Sequence, residues 1–162
     1  MLGQFRVSVD GRECSQWSRQ KPKLLVKLLA LQAHHELHRE QVIETFWPES
    51  DPESAVNNLH KAIHLARHAL EPELKSAANS HFILTRGQQI LLTAPGELPI
   101  DIDAFEQQAA EAIKSNDVQT YERALALYGG ELLTEDLYED WATGYFRQGD
   151  RRSENGPRAG NV

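Results

Sequence analysis

Cysteine is almost missing from this chain. Cys14 stands alone among 162 residues, so neither an internal disulfide nor a cysteine-built zinc site can form. Long apolar runs are missing as well: stretches such as residues 124–128 fall far short of the roughly 18 residues that a membrane span needs. No charged, then apolar, then small-residue pattern opens the sequence, so no secretory leader and a cytoplasmic address are expected. There is no glycine loop that would cradle a nucleotide phosphate and no nucleophile in a recognisable turn. His35-Glu36-Leu37-His38 brings its second histidine one residue too early for a helical H-E-x-x-H zinc motif. His60, His64 and His68 recur every four residues, but no cysteine or nearby carboxylate completes a metal site. These gaps point away from catalysis; no catalytic residue, metal or cofactor is expected.

What is present is an uneven distribution of charge. The formal net charge is −7. Residues 1–98 carry as many Lys and Arg as Asp and Glu, together with all seven histidines, so the whole excess of acid lies in residues 99–162. Such asymmetry suggests two units with different tasks. Residues 12–27 are locally basic, with Arg12, Arg19, Lys21, Lys23 and Lys27 against Glu13.

Local patterns give an α+β order. Phe5, Val7 and Val9 alternate with polar residues up to Asp10-Gly11, a dipeptide suited to a tight hairpin turn, and a return strand over 12–14 is expected to follow, with 16–18 continuing the sheet. Lys21-Pro22-Lys23 opens a helix whose Leu24, Leu25, Leu28, Leu29 and Leu31 form a broad apolar stripe. A second helix is expected over 39–46, ended by Trp47-Pro48. A third is expected over 52–70, with Asp51 as its N-cap and Pro52 in its first turn. Two β-favouring segments then flank Arg86-Gly87 as a hairpin. Strands, three helices and a hairpin, in that order, predict a winged helix-turn-helix over 1–98. Beyond it, 99–147 reads as a short all-α segment, including helices over 103–115 and 118–128, and 148–162 as a disordered tail.

The third helix carries the functional signal. With successive residues about 100° apart, Ala55, Leu59, Ala62, Ile63, Ala66 and Leu70 share one face. Asn57, Lys61, His64 and His68 lie opposite, flanked by His60 and Arg67. An amphipathic surface helix has this division too; its place between a capped turn and a hairpin makes it a candidate reader of base edges in a major groove. Arg19, Lys21 and Lys23 near the first helix, and Arg86 at the hairpin, are candidate phosphate or groove contacts.

Four segments carry a resemblance: LGQFRVSVDGRE at 2–13, REQVIETFWPESDPESAVNNLHKAIHLARHALEP at 39–72, DIDAFE at 101–106 and LYGGELLTEDLYEDWA at 127–142. In this order the chain resembles SARP-type bacterial regulators, in which an OmpR/PhoB-type winged helix precedes a bacterial transcriptional activator domain (BTAD). The resemblance spans roughly residues 2–146. It implies a sequence-specific transcription factor, often an activator, binding repeated promoter sites on double-stranded DNA. It further implies that the connector Trp47, Pro48, Glu49, Ser50 and Asp51 faces RNA polymerase. The tetratricopeptide-like helices after the winged helix would then serve self-association or regulation. His64 and His68 stand where relatives tend to carry arginine, so the charge of this face depends on pH. The principal alternative is an interaction module in which a winged-helix scaffold docks a protein and does not bind DNA.

Overall fold

The computed structural model describes residues 1–32, 34–76, 79–130 and 135–136. The chain is a mixed α+β protein. A first hairpin pairs β1 (Ser8–Val9) with β2 (Arg12–Glu13), and its turn residues Asp10 and Gly11 both take positive φ, 50° and 77°. Two positive φ values in succession are what a tight turn between right-twisted strands needs, and Asp-Gly tolerates them. Residues 16–18 do not extend this sheet; the Trp17 N–H turns back to the Ser15 carbonyl instead.

Helix α1 (Gln20–Ala30) starts one residue before Lys21, with Pro22 inside the first turn where an N–H has no helical partner. From Leu24 to Leu31 every side chain is buried. A helix buried all round is a central element, and α1 lies against α3 (Pro52–Leu70) and the second sheet. Leu25, Leu29 and Leu31 of this region meet Val42, Leu59, Leu70, Ile83 and Ile90 in one core.

The second sheet has the order β3 (Glu36–His38), β5 (Gln89–Leu92), β4 (Ile83–Arg86), antiparallel throughout. The strand β3 was not expected. His35 takes a left-handed φ of 53°, and the next three residues then pair with β5, Leu37 opposite Ile90. Three residues with one buried leucine carry no period that distinguishes a strand from a helix end; β5 supplies the register. His38 then ends the strand and caps α2 (Arg39–Phe46): its Nδ1 accepts the Glu40 N–H while Gln41 Oε1 accepts the His38 N–H.

Helices α4 (Asp101–Ser115) and α5 (Val118–Leu127) pack against each other, joined through Asn116 in the left-handed region and Asp117, whose carboxylate caps α5 at the Thr120 N–H. This pair is tied to the first hundred residues by polar contacts. The Met1 ammonium and the Leu2 N–H both reach the Asp101 carboxylate, and His35 Nε2 lies 3.3 Å from Asp103. Gly3 passes so near Gly129 that a Cβ there would sit 2.7 Å from its carbonyl oxygen. Lys27, 1% exposed within α1, makes an ion pair with Asp136, 3% exposed, and its ammonium lies 5.0 Å from the Phe5 ring centroid. The remainder of the expected all-α segment, from 131 to 147, and the tail over 148–162 lie outside the described residues, save for Glu135 and Asp136. Among the described residues no helix is long and apolar enough to cross a membrane.

A buried ion pair with one partner removed leaves an uncompensated charge. Lys27→Met is therefore expected to lower unfolding stability by about 3–5 kcal/mol. Lys27→Met with Asp136→Leu should recover most of that loss. Urea denaturation of both variants checks this; a single variant as stable as wild type would show that the pair is not buried.

Candidate nucleic-acid interface

Helix α3 is 19 residues long, about 28 Å at 1.5 Å per residue. Its N-terminus is fixed by Asp51, whose Oδ1 accepts the Ser54 N–H at 2.9 Å. That hydrogen bond holds the Asp51 carboxyl below its ordinary pKa. At the other end Arg12, from the first hairpin, donates to the Leu70 carbonyl at 2.7 Å, satisfying one of the open carbonyls of the last turn. Glu71 accepts from Ser80 Oγ at 2.5 Å and from the His81 N–H at 3.1 Å, and its Oε1 lies 3.0 Å from His81 Nδ1. Burial pushes the Glu71 carboxyl up, but these hydrogen bonds from Ser80 and His81 outweigh it and leave the group below the ordinary glutamate value.

Between these ends the buried positions of α3 are Ala55, Leu59, Ala62, Ile63, Ala66 and Leu70, the stripe expected from the sequence. Asn57, His60, Lys61 and His64 are exposed together on the outside. His68 is half-buried, its ring 4.5 Å from that of His64, centroid to centroid. Arg67 has a different setting from the other five. Its Nε donates to the Ile83 carbonyl on β4 at 2.8 Å, and burial lowers its pKa against the opposing pull of Glu71. It fastens α3 to the sheet, an orientation that a helical wheel cannot give.

The basic residues around α1 are also sorted by the fold. Arg19 is exposed. The Lys21 ammonium lies 4.9 Å above the Phe46 ring. Lys23 is held by Glu135 at 2.7 Å, and this contact keeps the Glu135 carboxyl below its ordinary pKa. Lys23 thus begins from an intramolecular acidic partner that a phosphate would have to displace. Arg86 is exposed at the end of β4, and the turn itself is Gly87-Gln88, with Gly87 at φ 58°. In the connector, Trp47 stacks edge-on against Phe46 at 5.6 Å and is half-buried, while Pro48, Glu49, Ser50 and Asp51 are exposed.

Arg39, which is absent from the candidates named from the sequence, lies beside the outer face of α3. Because α2 begins directly after β3, the Arg39 N–H donates to the Gln88 carbonyl at 2.8 Å. Its guanidinium reaches Gln88 Oε1 at 3.3 Å and lies 3.4 Å from His60 Nε2. A cleft of about 300 Å³ opens there between α3 and the β4–β5 turn. The signal was hidden because Arg39 meets His60 only through a strand pairing that the sequence does not show. Chemically, the surface offers amide, imidazole, ammonium and guanidinium groups on one side of a fixed helix. No cluster of three metal-ligating side chains occurs among the described residues. Compared with family models, curated proteins and solved structures, the chain matches none.

Since the folded-state pKa of Glu71 is lowered, its contribution to stability is complete above the ordinary glutamate range and is lost as pH falls through the folded value. Glu71→Gln should reduce stability by about 1 kcal/mol at pH 7 and by much less at pH 3. Thermal melts at the two pH values check the sign; an equal loss at both would assign the effect to packing.

Proposed function

We propose that this protein is a sequence-specific regulator of transcription that binds double-stranded DNA through a winged helix-turn-helix. On this reading α2 and α3 form the helix-turn-helix, the β4–β5 hairpin is the wing, and α3 enters the major groove. The single observation that carries the reading is the outer face of α3. Asn57, His60, Lys61 and His64 are exposed together on a helix whose opposite face is buried and whose two ends are fixed. Base edges present donors and acceptors, and asparagine can pair bidentately with adenine. Arg86, exposed at the hairpin, is within the reading a minor-groove or backbone contact. The resemblance to SARP-type regulators supports activation at repeated promoter sites, with Trp47, Pro48, Glu49, Ser50 and Asp51 turned to RNA polymerase. A lone module of this size has a small interface, which favours tandem or dimeric binding.

A second reading has its own observation. Ile113, Val118 and Leu125, on α4 and α5, are 68–71% exposed. This favours an adaptor in which the helical pair docks a protein and the winged helix is a scaffold. The two readings separate on DNA.

Asn57→Ala should reduce the ratio of operator to random-duplex affinity by the equivalent of about 1–3 kcal/mol, with fold and melting temperature retained. Competition binding with the two duplexes measures that ratio, and an unchanged value would remove Asn57 as a base reader.

A further inference from the structure

We propose that the cleft between α3 and the β4–β5 turn seats one phosphodiester of the bound duplex, held by Arg39 and His60, and that this seat takes up a proton as DNA binds. The inference rests on the DNA-binding reading above and adds to it a residue, a ligand group and a form of pH control.

Among the described residues, the lining of the cleft includes Arg39, Arg67, His60 and His64, and no carboxylate. In a chain of net charge −7 this is a local reversal of sign. Arg67 is already committed to the Ile83 carbonyl. Arg39 differs: among the described residues it makes no ion pair, and its side chain rests between two uncharged groups at 3.3 and 3.4 Å. Charge-assisted contacts to an anion are shorter, about 2.7–2.9 Å, and roughly twice as strong as neutral ones. The guanidinium is therefore presented by its neighbours without being neutralised. The Arg39 backbone is bonded to the hairpin turn, which fixes the point from which the side chain extends. Three elements converge on the point: the start of α2, the outer side of α3, and the turn.

The proton follows from the same geometry. For His60 Nε2 to accept from Arg39, the ring must be neutral with its proton on Nδ1. Among the described residues, the charged and titratable side chains lining the cleft with His60 are Arg39 from α2 and His64 and Arg67 from α3. The turn adds the neutral Gln88, and Thr85 of β4 lines the same cleft. A phosphate oxygen in the cleft is a stronger acceptor than the imidazole. Arg39 transfers its donor to the stronger acceptor, and the protonated ring then donates to the same anion. The position suits a strand crossing from the groove read by α3 to the groove approached by Arg86.

The test uses the full chain, an operator duplex and a random duplex, titrated across salt at pH 8 and pH 6. Arg39→Gln is expected to weaken both duplexes alike, about tenfold, and to reduce the slope of log K against log salt by about one. In a scan of single methylphosphonate substitutions, one position that weakens wild type should have no further effect on this variant. His60→Gln should lose most of the affinity gained between pH 8 and pH 6. His68→Gln should keep that gain whatever its absolute affinity, because His68 lies outside the cleft. An unchanged salt slope in Arg39→Gln, or an equal loss of the pH response in His68→Gln, would overturn the proposal while leaving DNA recognition intact. If Arg39→Gln fails to fold, the exposed His60→Gln decides the matter alone. A folded wild type that binds neither duplex would end both the seat and the reading on which it rests.

Discussion

Six side chains along one stripe of α3 are buried, and their burial fixes the rotation of a 19-residue helix about its own axis. The consequences reach every part of the candidate surface. With Ala55, Leu59, Ala62, Ile63, Ala66 and Leu70 turned to α1 and the sheet, Asn57, His60, Lys61 and His64 have only the outside left. A rotation by one residue, about 100°, would bury polar groups without partners and expose apolar ones, each at a cost of order 1–3 kcal/mol. The rotation of the outer face is therefore set by the packing behind it.

Packing sets rotation, and polar contacts set position along the axis. Asp51 closes the N-terminal end, whereas Arg12, Arg67 and Glu71 bind the C-terminal end to the first hairpin, to β4 and to the segment entering β4. Each of these groups is charged, and each works through a backbone group or a small polar side chain. The same economy of means joins the two halves of the molecule: Asp101 receives the chain's amino end, and Asp136 meets Lys27 inside α1. Much of the excess acid in the C-terminal half thus has a structural counterpart, since Asp101, Asp103, Glu135 and Asp136 all face groups in the first half.

Where structure followed from short-range pattern, the sequence could be read directly. The bounds of α2 and α3, the Asp10-Gly11 turn, the hairpin around Gly87 and the buried stripe of α3 all depend on residues within a few positions of one another. What escaped depends on partners far along the chain. Lys27 reads as one more cation in a basic stretch until Asp136, 109 residues away, is brought beside it. Lys23 is altered in the same way by Glu135. The strand β3 has too few residues to show alternation and exists because β5 receives it. Arg67 sits on the flank of the helical wheel, and only the free carbonyl of Ile83 decides which way it turns. Arg39 is the clearest instance for function, because its neighbours His60 and Gln88 are 21 and 49 positions away.

The central claim is that a helix held in this way reads duplex sequence. Selection of the purified full chain against a randomised duplex pool, followed by binding of the recovered sequences across a salt series, tests it most directly. The account predicts an enriched motif whose affinity falls steeply with salt, as release of phosphate counterions requires. A folded sample that enriches no sequence and binds no duplex in a salt-dependent way would contradict it, and would leave the exposed face of α4 and α5 as the working surface of the molecule.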